Sequence, residues 1–432
     1  MKRLKRFLLF SFLALISIIV LGGVAYGVYY LSQPRPASPP PPADTRDGRW
    51  QQDLTYLSTE LTRLHANVAH TVSRAEFEQA LARLAEAIPT LDDREIAIRI
   101  MALVAMVGDA HTSASISWGS APFYPYTMSW FSEGAFVTGA SEAYAHLVGS
   151  EMLKIGDVSI DEAFRRVSTI ISHENEPKLR GWSPFYLRSA EVLHALDLLP
   201  QRDRGQFVFR TVEGDTVSLE LPALPEAQWR QKEWVRATSD QPLFRQRRDE
   251  LFWFEYLEDQ RLLFFKYNRC REPWAFWRFS RKLRRFLDEH DVDKLVIDFR
   301  LNAGGNSFQF ANLFLDDLKT HETLNRRGRL FAVIDRYTYS SAMLNAAQLH
   351  QQTEAILIGE SSSGKPNGYG EMRDFTLPNS SIRINYSTRY IEAYPDLGEA
   401  PSFEPDIHIP VTVQAYLAGQ DPVMEAILAY EK

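Results

Sequence analysis

KLVIDFRLNAGGN, residues 294–306, is the stretch that decides the fold. Its first half is a continuously apolar run, which is typical of a strand buried on both faces, and its second half is a glycine turn. Similar apolar runs lie on either side of it, at 262–267, 329–335 and 355–360. Helical patterns separate these runs, at 274–287, at 308–318 and at 340–350. Strands that alternate with helices predict a parallel α/β layer.

Composition excludes several classes of protein. The formal net charge of the 432 residues is −7, whereas nucleic-acid binding needs a concentrated basic face. The densest basic run of the folded part, RKLRR at 281–285, is interpreted as a solvated helix face. Cys270 is the single cysteine, so an intrachain disulfide and a cysteine-rich zinc site are impossible. The histidines show no metal-ligand spacing, and His65 and His70 are interpreted as surface residues of a helical segment. We therefore expect no metal, no cofactor and no nucleic-acid partner.

The first residues predict a membrane anchor. Four basic residues precede 25 uncharged residues, Phe7 to Leu31. As a helix this stretch spans about 37 Å, enough to cross a hydrocarbon core of about 30 Å. A cleaved signal peptide is the alternative, but its apolar region is normally shorter. We expect an uncleaved single-pass anchor in the cell membrane, with the N-terminus in the cytoplasm and the folded part outside.

Three strand ends carry residues suited to chemistry. Gly304 and Gly305 leave backbone N–H groups free to approach a ligand. Ser340 stands where a helix begins, beside amides that could stabilise an oxyanion. Lys365 lies in a Gly/Ser turn, and a partly desolvated lysine can activate a hydroxyl. Taken singly, each has an ordinary reading, as a turn, a helix cap and a surface lysine. Because the carboxyl ends of parallel strands meet at one edge, we expect the three to lie close together.

These segments resemble elements of the tail-specific, or C-terminal processing, serine protease family. IDFRLNAGG resembles its "DLRxNPGG" element, IDRYTYSSA its "SxSA" nucleophile segment, and IGESSSGK its "GExTxGK" lysine loop. GDAHTS at 108–113 is similar to the "DGHT" segment of the tricorn-like branch. GSEMLKIGDVSIDEA resembles the end of a PDZ-like module, and FEPDIHI a terminal "PDI" strand. The resemblance covers most of residues 50–432.

The resemblance implies a site residue by residue. Ser340 would be the nucleophile, and the N–H groups of Ser341 and of Gly304 or Gly305 would form the oxyanion hole. Two residues match a base of the family. Lys365 matches the lysine of the Ser–Lys branch, and its loop spacing favours it. His111 matches the histidine of the tricorn-like branch, with Glu399 as the candidate for the glutamate that supports it.

The resemblance also implies a fold and a domain order. The fold is an α/β, crotonase/ClpP-like catalytic core with an N-terminal helical lobe and a short PDZ-like β-rich segment. The predicted ranges are a basic tail and anchor at 1–33, a Pro-rich linker at 34–48, the helical lobe at 49–125, the PDZ-like segment at 126–170, a connecting region at 171–248 and the catalytic domain at 249–432.

The implied activity is hydrolysis of peptide bonds outside the cytoplasm through an acyl-enzyme. Protein or peptide substrates are the expected partners. The alternative is a non-catalytic binding protein on the same fold that holds peptides or apolar ligands at the membrane surface. A pure binder would not need both Ser340 and Lys365, which favours the enzyme. GESSSGK also resembles a phosphate-binding loop, but Pro366 follows the lysine where such a loop needs Ser or Thr.

Overall fold

The structure is a computed structural model that describes residues 34–225, 227–228, 234–236, 241–306 and 308–431. The predicted anchor at residues 7–31 lies outside these residues. No helix of the described part is both long enough and apolar enough to span a membrane.

The helices are numbered in chain order within the described residues. They are α1 (Arg46–Leu64), α2 (Arg74–Ala87), α3 (Asp93–Ala105), α4 (Ile160–Ser168), α5 (Glu176–Tyr186), α6 (Ala190–Ala195), α7 (Pro273–Glu289), α8 (Phe308–Phe310, continued by the π-helical turn Ala311–Leu315 and by Asp316–Thr320), α9 (Ser341–Gln352), α10 (Val413–Leu417) and α11 (Pro422–Ala429). Short 3-10 helices occur at Ile88–Thr90, Glu142–Leu147, Leu243–Arg245, Glu258–Gln260 and Pro395–Leu397.

The strands are numbered in the same way. They are β1 (Ser113–Ser115), β2 (Pro122–Phe123), β3 (Tyr126–Trp130), β4 (Ala135–Ser141), β5 (Glu151–Ile155), β6 (Val158–Ser159), β7 (Arg204–Arg210), β8 (Thr216–Pro222), β9 (Leu224–Pro225), β10 (Trp234–Arg236), β11 (Phe252–Leu257), β12 (Leu262–Tyr267), β13 (Lys294–Asp298), β14 (Leu330–Ile334), β15 (Ile356–Gly359), β16 (Asn367–Thr376), β17 (Arg383–Glu392) and β18 (Ile407–His408).

The predicted parallel layer is confirmed in the C-terminal half. Its sheet has the strand order β11-β12-β13-β14-β15-β18, and every neighbouring pair is parallel except β11 with β12. Strands β12, β14 and β15 are buried along their whole length, as their apolar sequences predict. Helices α7, α8 and α9 connect the parallel strands. The segments that follow β13, β14 and β15 therefore meet at one edge of the sheet.

The N-terminal helices begin where the sequence predicts. Ser73 and Glu76 form a capping box at the start of α2, and Asp92 and Glu95 form another at the start of α3. In each box two otherwise unpaired backbone amides gain an acceptor, which fixes the helix start.

A long hairpin joins this helical lobe to the C-terminal sheet. Strands β16 and β17 leave the carboxyl end of β15 and pair antiparallel with each other. The short strand β1, which follows the loop after α3, pairs with the outer side of β17. Phe375 and Ile384 of the hairpin share one apolar cluster with Leu57 and Leu61 of α1. The hairpin thereby holds the loop after α3 beside the carboxyl ends of the parallel strands.

The middle of the chain forms a second, antiparallel sheet. Its strand order is β10-β4-β5-β7-β8, with β3 added on β4 and β6 on β5. Strands β7, β8 and β10 come from the region predicted as a connection, 171–248. In β7 buried and exposed residues alternate, with Phe207 and Phe209 inside, because this strand covers the core with one face only. The sheet therefore extends across the boundary predicted at residue 170.

The Pro-rich segment, predicted as a linker at 34–48, contacts helix α1. The backbone of Ala37 donates to Glu60 and accepts from the hydroxyl of Tyr56. Further along, the amide nitrogen of Gln52 donates to the carbonyl of Pro41. Residues 34–43 thus run along the surface of α1, and helical structure begins at Arg46, inside the predicted linker.

Candidate active site

Ser340 lies between β14 and α9 in an unusual backbone conformation. Its φ is 52° and its ψ is −127°, a region that costs a residue with a side chain about 1–3 kcal/mol. The hydroxyl does not cap α9, so the ordinary role of a serine at a helix start does not apply here. A Cβ on Gly304 would stand 3.0 Å from the Cβ of Ser340 and 2.8 Å from the carbonyl of Tyr339. The glycine turn after β13 and the segment of Ser340 are therefore in close backbone contact, which only glycine permits.

His111 stands against Ser340. Its Nε2 lies 3.2 Å from the Oγ of Ser340, although 229 residues separate them in the chain. The ring of Tyr339 stacks on the imidazole, with 4.8 Å between the centroids and 28° between the planes. The stacking and the hairpin contact of β1 fix the ring where it can accept the hydroxyl proton of Ser340.

Asp109 supports this histidine from behind. Its Oδ1 accepts the backbone N–H of His111 at 2.8 Å and lies 3.8 Å from the Nδ1 of the ring. Its Oδ2 accepts the hydroxyls of Thr112 at 2.6 Å and Ser387 at 2.5 Å, and lies 3.2 Å from the Nε2 of His65. Burial raises the pKa of Asp109, but the hydrogen bonds from His65, Ser387 and Thr112 outweigh it and hold the pKa below 3.8. Asp109 is therefore a buried, ionised carboxylate.

The interpretation of His65 as a surface residue is wrong. The residue is buried at the end of α1, where its other ring nitrogen, Nδ1, accepts the backbone N–H of Asn67 at 2.9 Å. That hydrogen bond orients the ring so that Nε2 faces Asp109. Helical spacing alone did not show that the chain turns inward at this point.

The pKa of His111 is lowered from 6.5. Burial is the largest cause, because it disfavours the charged imidazolium. The positive charge of Lys178 also lowers the pKa of His111. The negative charge of Asp109 and a hydrogen bond with the backbone of Tyr369 raise it. His111 is therefore neutral at pH 7 and can act as a general base there.

Gly304, Gly305 and Ser341 line the same cavity as Ser340. The amide of Gly304 donates to the side chain of Asn302 at 3.0 Å and is therefore engaged. Gly305 pairs with Cys270 in a parallel bridge. In this bridge Cys270 bonds to the carbonyl of Gly304 and to the amide of Asn306, the neighbours of Gly305. The amide and carbonyl of Gly305 itself therefore point away from Cys270. On that side its carbonyl accepts the hydroxyl of Ser341 at 2.7 Å. Among the described residues, the amides of Gly305 and Ser341 remain as candidate donors to an oxyanion.

Lys365, which the sequence favours as the base, forms an ion pair at the edge of the cavity. Its ammonium lies 3.3 Å from a carboxylate oxygen of Glu399, and the Glu399 side chain is 82% exposed. Glu399 therefore contacts Lys365 and not His111, which corrects its expected role as the carboxylate that supports the histidine. The spacing of the lysine loop is compatible with the family pattern but carries no information on the direction of the side chain. The carboxylate nearest to the His111 ring nitrogen Nδ1 is that of Asp109, at 3.8 Å, a distance too long for a hydrogen bond.

Sequence reasoning missed two titratable residues at the site. Glu174 accepts the backbone N–H of Lys365 at 3.1 Å, and burial together with the charge of Asp109 raises its pKa to about 7. Lys178, in the first turn of α5, is buried with its ammonium 3.6 Å from the ring centroid of Trp182 and 3.8 Å from that of Tyr339. Burial lowers its pKa to about 7. An acidic and a basic residue four apart at a helix start was the available signal, and it is a common surface pattern.

Asp109, His111 and Glu174 bring their ligand-type atoms within 4.8 Å of one another. Carboxylate and imidazole donors of this kind suit a transition metal such as zinc. Asp109 already accepts hydrogen bonds from Thr112, Ser387 and the backbone of His111, and Glu174 accepts one from the backbone of Lys365.

Comparisons with known proteins give one family match and several similar folds. Residues 274–409 match the model of peptidase family S41. The fold is similar to mature CPAF complexed with lactacystin, with a TM-score of 0.59 and 13% identity over 88% of this chain and 97% of that chain. It is also similar to a CPAF mutant, with a TM-score of 0.61 and 11% identity over 89% and 99% of the two chains. The photosystem II D1 C-terminal processing protease aligns with a TM-score of 0.39 and 12% identity over 88% and 99%. No curated protein sequence matches the chain.

The protein is a serine-type peptidase, a hydrolase. The likeness to peptidase family S41 lies in the domain at residues 274–409.

Proposed function

We propose that this peptidase cleaves peptide bonds through an acyl-enzyme, with Ser340 as the nucleophile and His111 as the base. The observation that carries the proposal is the distance of 3.2 Å between His111 Nε2 and Ser340 Oγ. Lys365 is the weaker candidate for the base because its ammonium is paired with Glu399 at the surface.

The chemistry follows from the placement of these groups. His111 takes the proton of Ser340 as Oγ attacks the carbonyl carbon of the substrate, and the tetrahedral intermediate forms. The protonated imidazole then donates that proton to the leaving amine, and the acyl-enzyme remains. Water attacks the ester with His111 again as base, which releases the acid product and restores Ser340. Asp109 stabilises the imidazolium at each stage through its negative charge.

The amides of Gly305 and Ser341 are the proposed oxyanion donors. Ser341 is the first residue of α9, so its amide has no acceptor within the helix and lies at the positive end of the helix dipole. Donors fixed before the reaction stabilise the negative charge without reorganisation, and removal of one such donor typically costs about a hundredfold to a thousandfold in rate.

The surroundings of the protein also belong to the proposal. The basic and apolar N-terminal sequence favours a peptidase anchored in the cell membrane, acting on proteins or peptides outside the cytoplasm. We propose that the sheet formed by β3 to β8 and β10 is the PDZ-like module. It would bind a substrate segment along an exposed strand edge and present it to the catalytic domain that begins near residue 249.

A serine-reactive phosphonate tests the nucleophile. We expect labelling of the purified protein, mapped by mass spectrometry to the peptide that contains Ser340, and no labelling of Ser340→Ala. Ser341→Ala is the matched control and should still be labelled, because its hydroxyl is bonded to the carbonyl of Gly305. Labelling that persists in Ser340→Ala, with a folded circular dichroism spectrum, would reject Ser340.

Substrates require a separate experiment in cells. Comparison of the surface proteome of cells that carry the intact protein with that of cells that carry Ser340→Ala should show fragments only in the first. Fragments that are equally abundant in both would argue for the non-catalytic binding alternative.

A further inference from the structure

The segment that follows β12 runs directly alongside the glycine turn. The amide of Cys270 donates to the carbonyl of Gly304 at 3.3 Å, and the carbonyl of Cys270 accepts the amide of Asn306 at 2.6 Å. A Cβ on Gly305 would stand 2.2 Å from the carbonyl oxygen of Cys270, so the two backbones are as close as glycine allows. The position of Cys270 is therefore fixed relative to the proposed oxyanion donor.

Two arginines flank Cys270. The thiol of Cys270 is buried, and its Sγ lies 3.6 Å from the side-chain nitrogens of Asn302 and Asn345. Arg269 and Arg271 are exposed, and both line the cavity of about 580 Å³ that also contains Ser340. A rigid buried residue thus holds a guanidinium on each side of itself at the wall of the active-site cavity.

The other basic side chains of this cavity have counterions. Lys365 is paired with Glu399, and Arg389 with Glu371. For Arg269 and Arg271, by contrast, no carboxylate partner is found among the residues that the structure describes. Their charge faces the cavity without an internal counterion. Guanidinium groups bind carboxylates through paired, charge-assisted hydrogen bonds, so a carboxylate is the ligand chemistry that fits.

We propose that Arg269 and Arg271 form a carboxylate-binding subsite beside the oxyanion donors. The peptidase then favours substrates that carry a carboxylate within a few residues of the cleaved bond, either an acidic side chain or the C-terminal α-carboxylate. This inference rests on the proposed function. It adds a specificity to the same site, because the segment that carries the arginines is bonded to the turn that holds Gly305.

Matched peptides test the subsite and identify the source of the carboxylate. One series places Glu or Gln at each of the three positions on either side of the cleaved bond. A second series compares free C-terminal acids with C-terminal amides of the same sequence. The intact protein should cleave carboxylate-bearing peptides with a kcat/KM about tenfold higher than their neutral counterparts, the size expected of a charge-assisted contact. The series that shows the difference identifies the source.

The double variant Arg269→Gln/Arg271→Gln should lose this preference and retain the kcat/KM of the neutral peptides, which also reports that the variant is folded. Arg389→Gln is the control, because its charge is already neutralised by Glu371, and it should keep the preference. Equal cleavage of both members of every pair by the intact protein would overturn the subsite, as would equal losses for charged and neutral peptides in the double variant. If the intact protein cleaved no peptide and bound no phosphonate, the proposed function itself would fail and the subsite with it.

Discussion

The two candidate bases occupy opposite kinds of surroundings in one cavity. His111 is held by a stacked ring, a buried carboxylate and the strand contact of β1, and it faces the Ser340 hydroxyl. Lys365 is held by one partly exposed ion pair with Glu399. A fixed, desolvated group can transfer a proton in a defined geometry. An exposed ion pair contributes little free energy and therefore does little to fix the position of Lys365. Both residues line the cavity, and the contacts of each side chain distinguish them as candidate bases.

The largest expected effect is on the histidine side. His111→Ala should reduce kcat/KM by about 10³-fold or more, because the hydroxyl of Ser340 then has no proton acceptor. Lys365→Met is the matched comparison and should change kcat/KM by less than about threefold. Cleavage of one fluorogenic peptide by both purified variants measures the difference. The reverse order of losses would make Lys365 the base.

The next effect concerns the carboxylate behind the histidine. Asp109→Asn should reduce kcat by about a hundredfold, since the imidazolium loses its buried counter-charge. The acidic limb of the pH profile should also move to lower pH, because the charge of Asp109 raises the pKa of His111. Ser387→Ala removes one hydrogen bond to Asp109 and should cause a smaller loss. An unchanged kcat in Asp109→Asn would show that the carboxylate is structural only.

A third prediction concerns pH. The base acts in its neutral form, so activity is lost as pH falls through the pKa of His111, which burial places below 6.5. Lys178→Met removes a positive charge that lowers this pKa, so the acidic limb should move to higher pH. Lys154→Met, on an exposed residue of β5, should leave the limb in place. Profiles of kcat/KM against pH for the intact protein, Lys178→Met and Lys154→Met measure the position of the acidic limb. A limb that moves to lower pH in Lys178→Met would contradict the proposal that His111 is the base.

The smallest effect is expected at Glu399. Glu399→Gln should change kcat/KM by less than about threefold, because the side chain contacts an exposed ammonium and not the imidazole. Steady-state kinetics of this variant beside Asp109→Asn compares the two carboxylates directly. A loss at Glu399 as large as that at Asp109 would restore Glu399 to the supporting role.

Local pattern was sufficient for much of the fold. The apolar run at 262–267 is β12 with those bounds, and the capping boxes at Ser73 and Asp92 mark true helix starts. These features are formed by residues close together in the chain, so they can be predicted from local sequence. The sheet that crosses residue 170 was not predicted, because its strands are short and separated by helices.

The site could be predicted only in part, for a related reason. Ser340 and His111 stand in recognisable segments. Asp109 was visible in the same segment as His111, but its role depends on the side chains of Ser387 and His65, which lie far away in the chain. Glu174 reaches the site through the backbone of Lys365. Convergence of distant segments of this kind leaves no periodic signal in the sequence.

The attachment of residues 34–43 to helix α1 limits the reach of the folded body. The carbonyl of Pro41 and the backbone of Ala37 are bonded to side chains of α1, so these residues add no free length to a tether. The described chain is therefore attached to helix α1 from Ala37 onward. A membrane anchor of the kind proposed above would gain no flexible spacer from residues 34–43, so flexible residues inserted ahead of Pro34 would be needed to lengthen the tether.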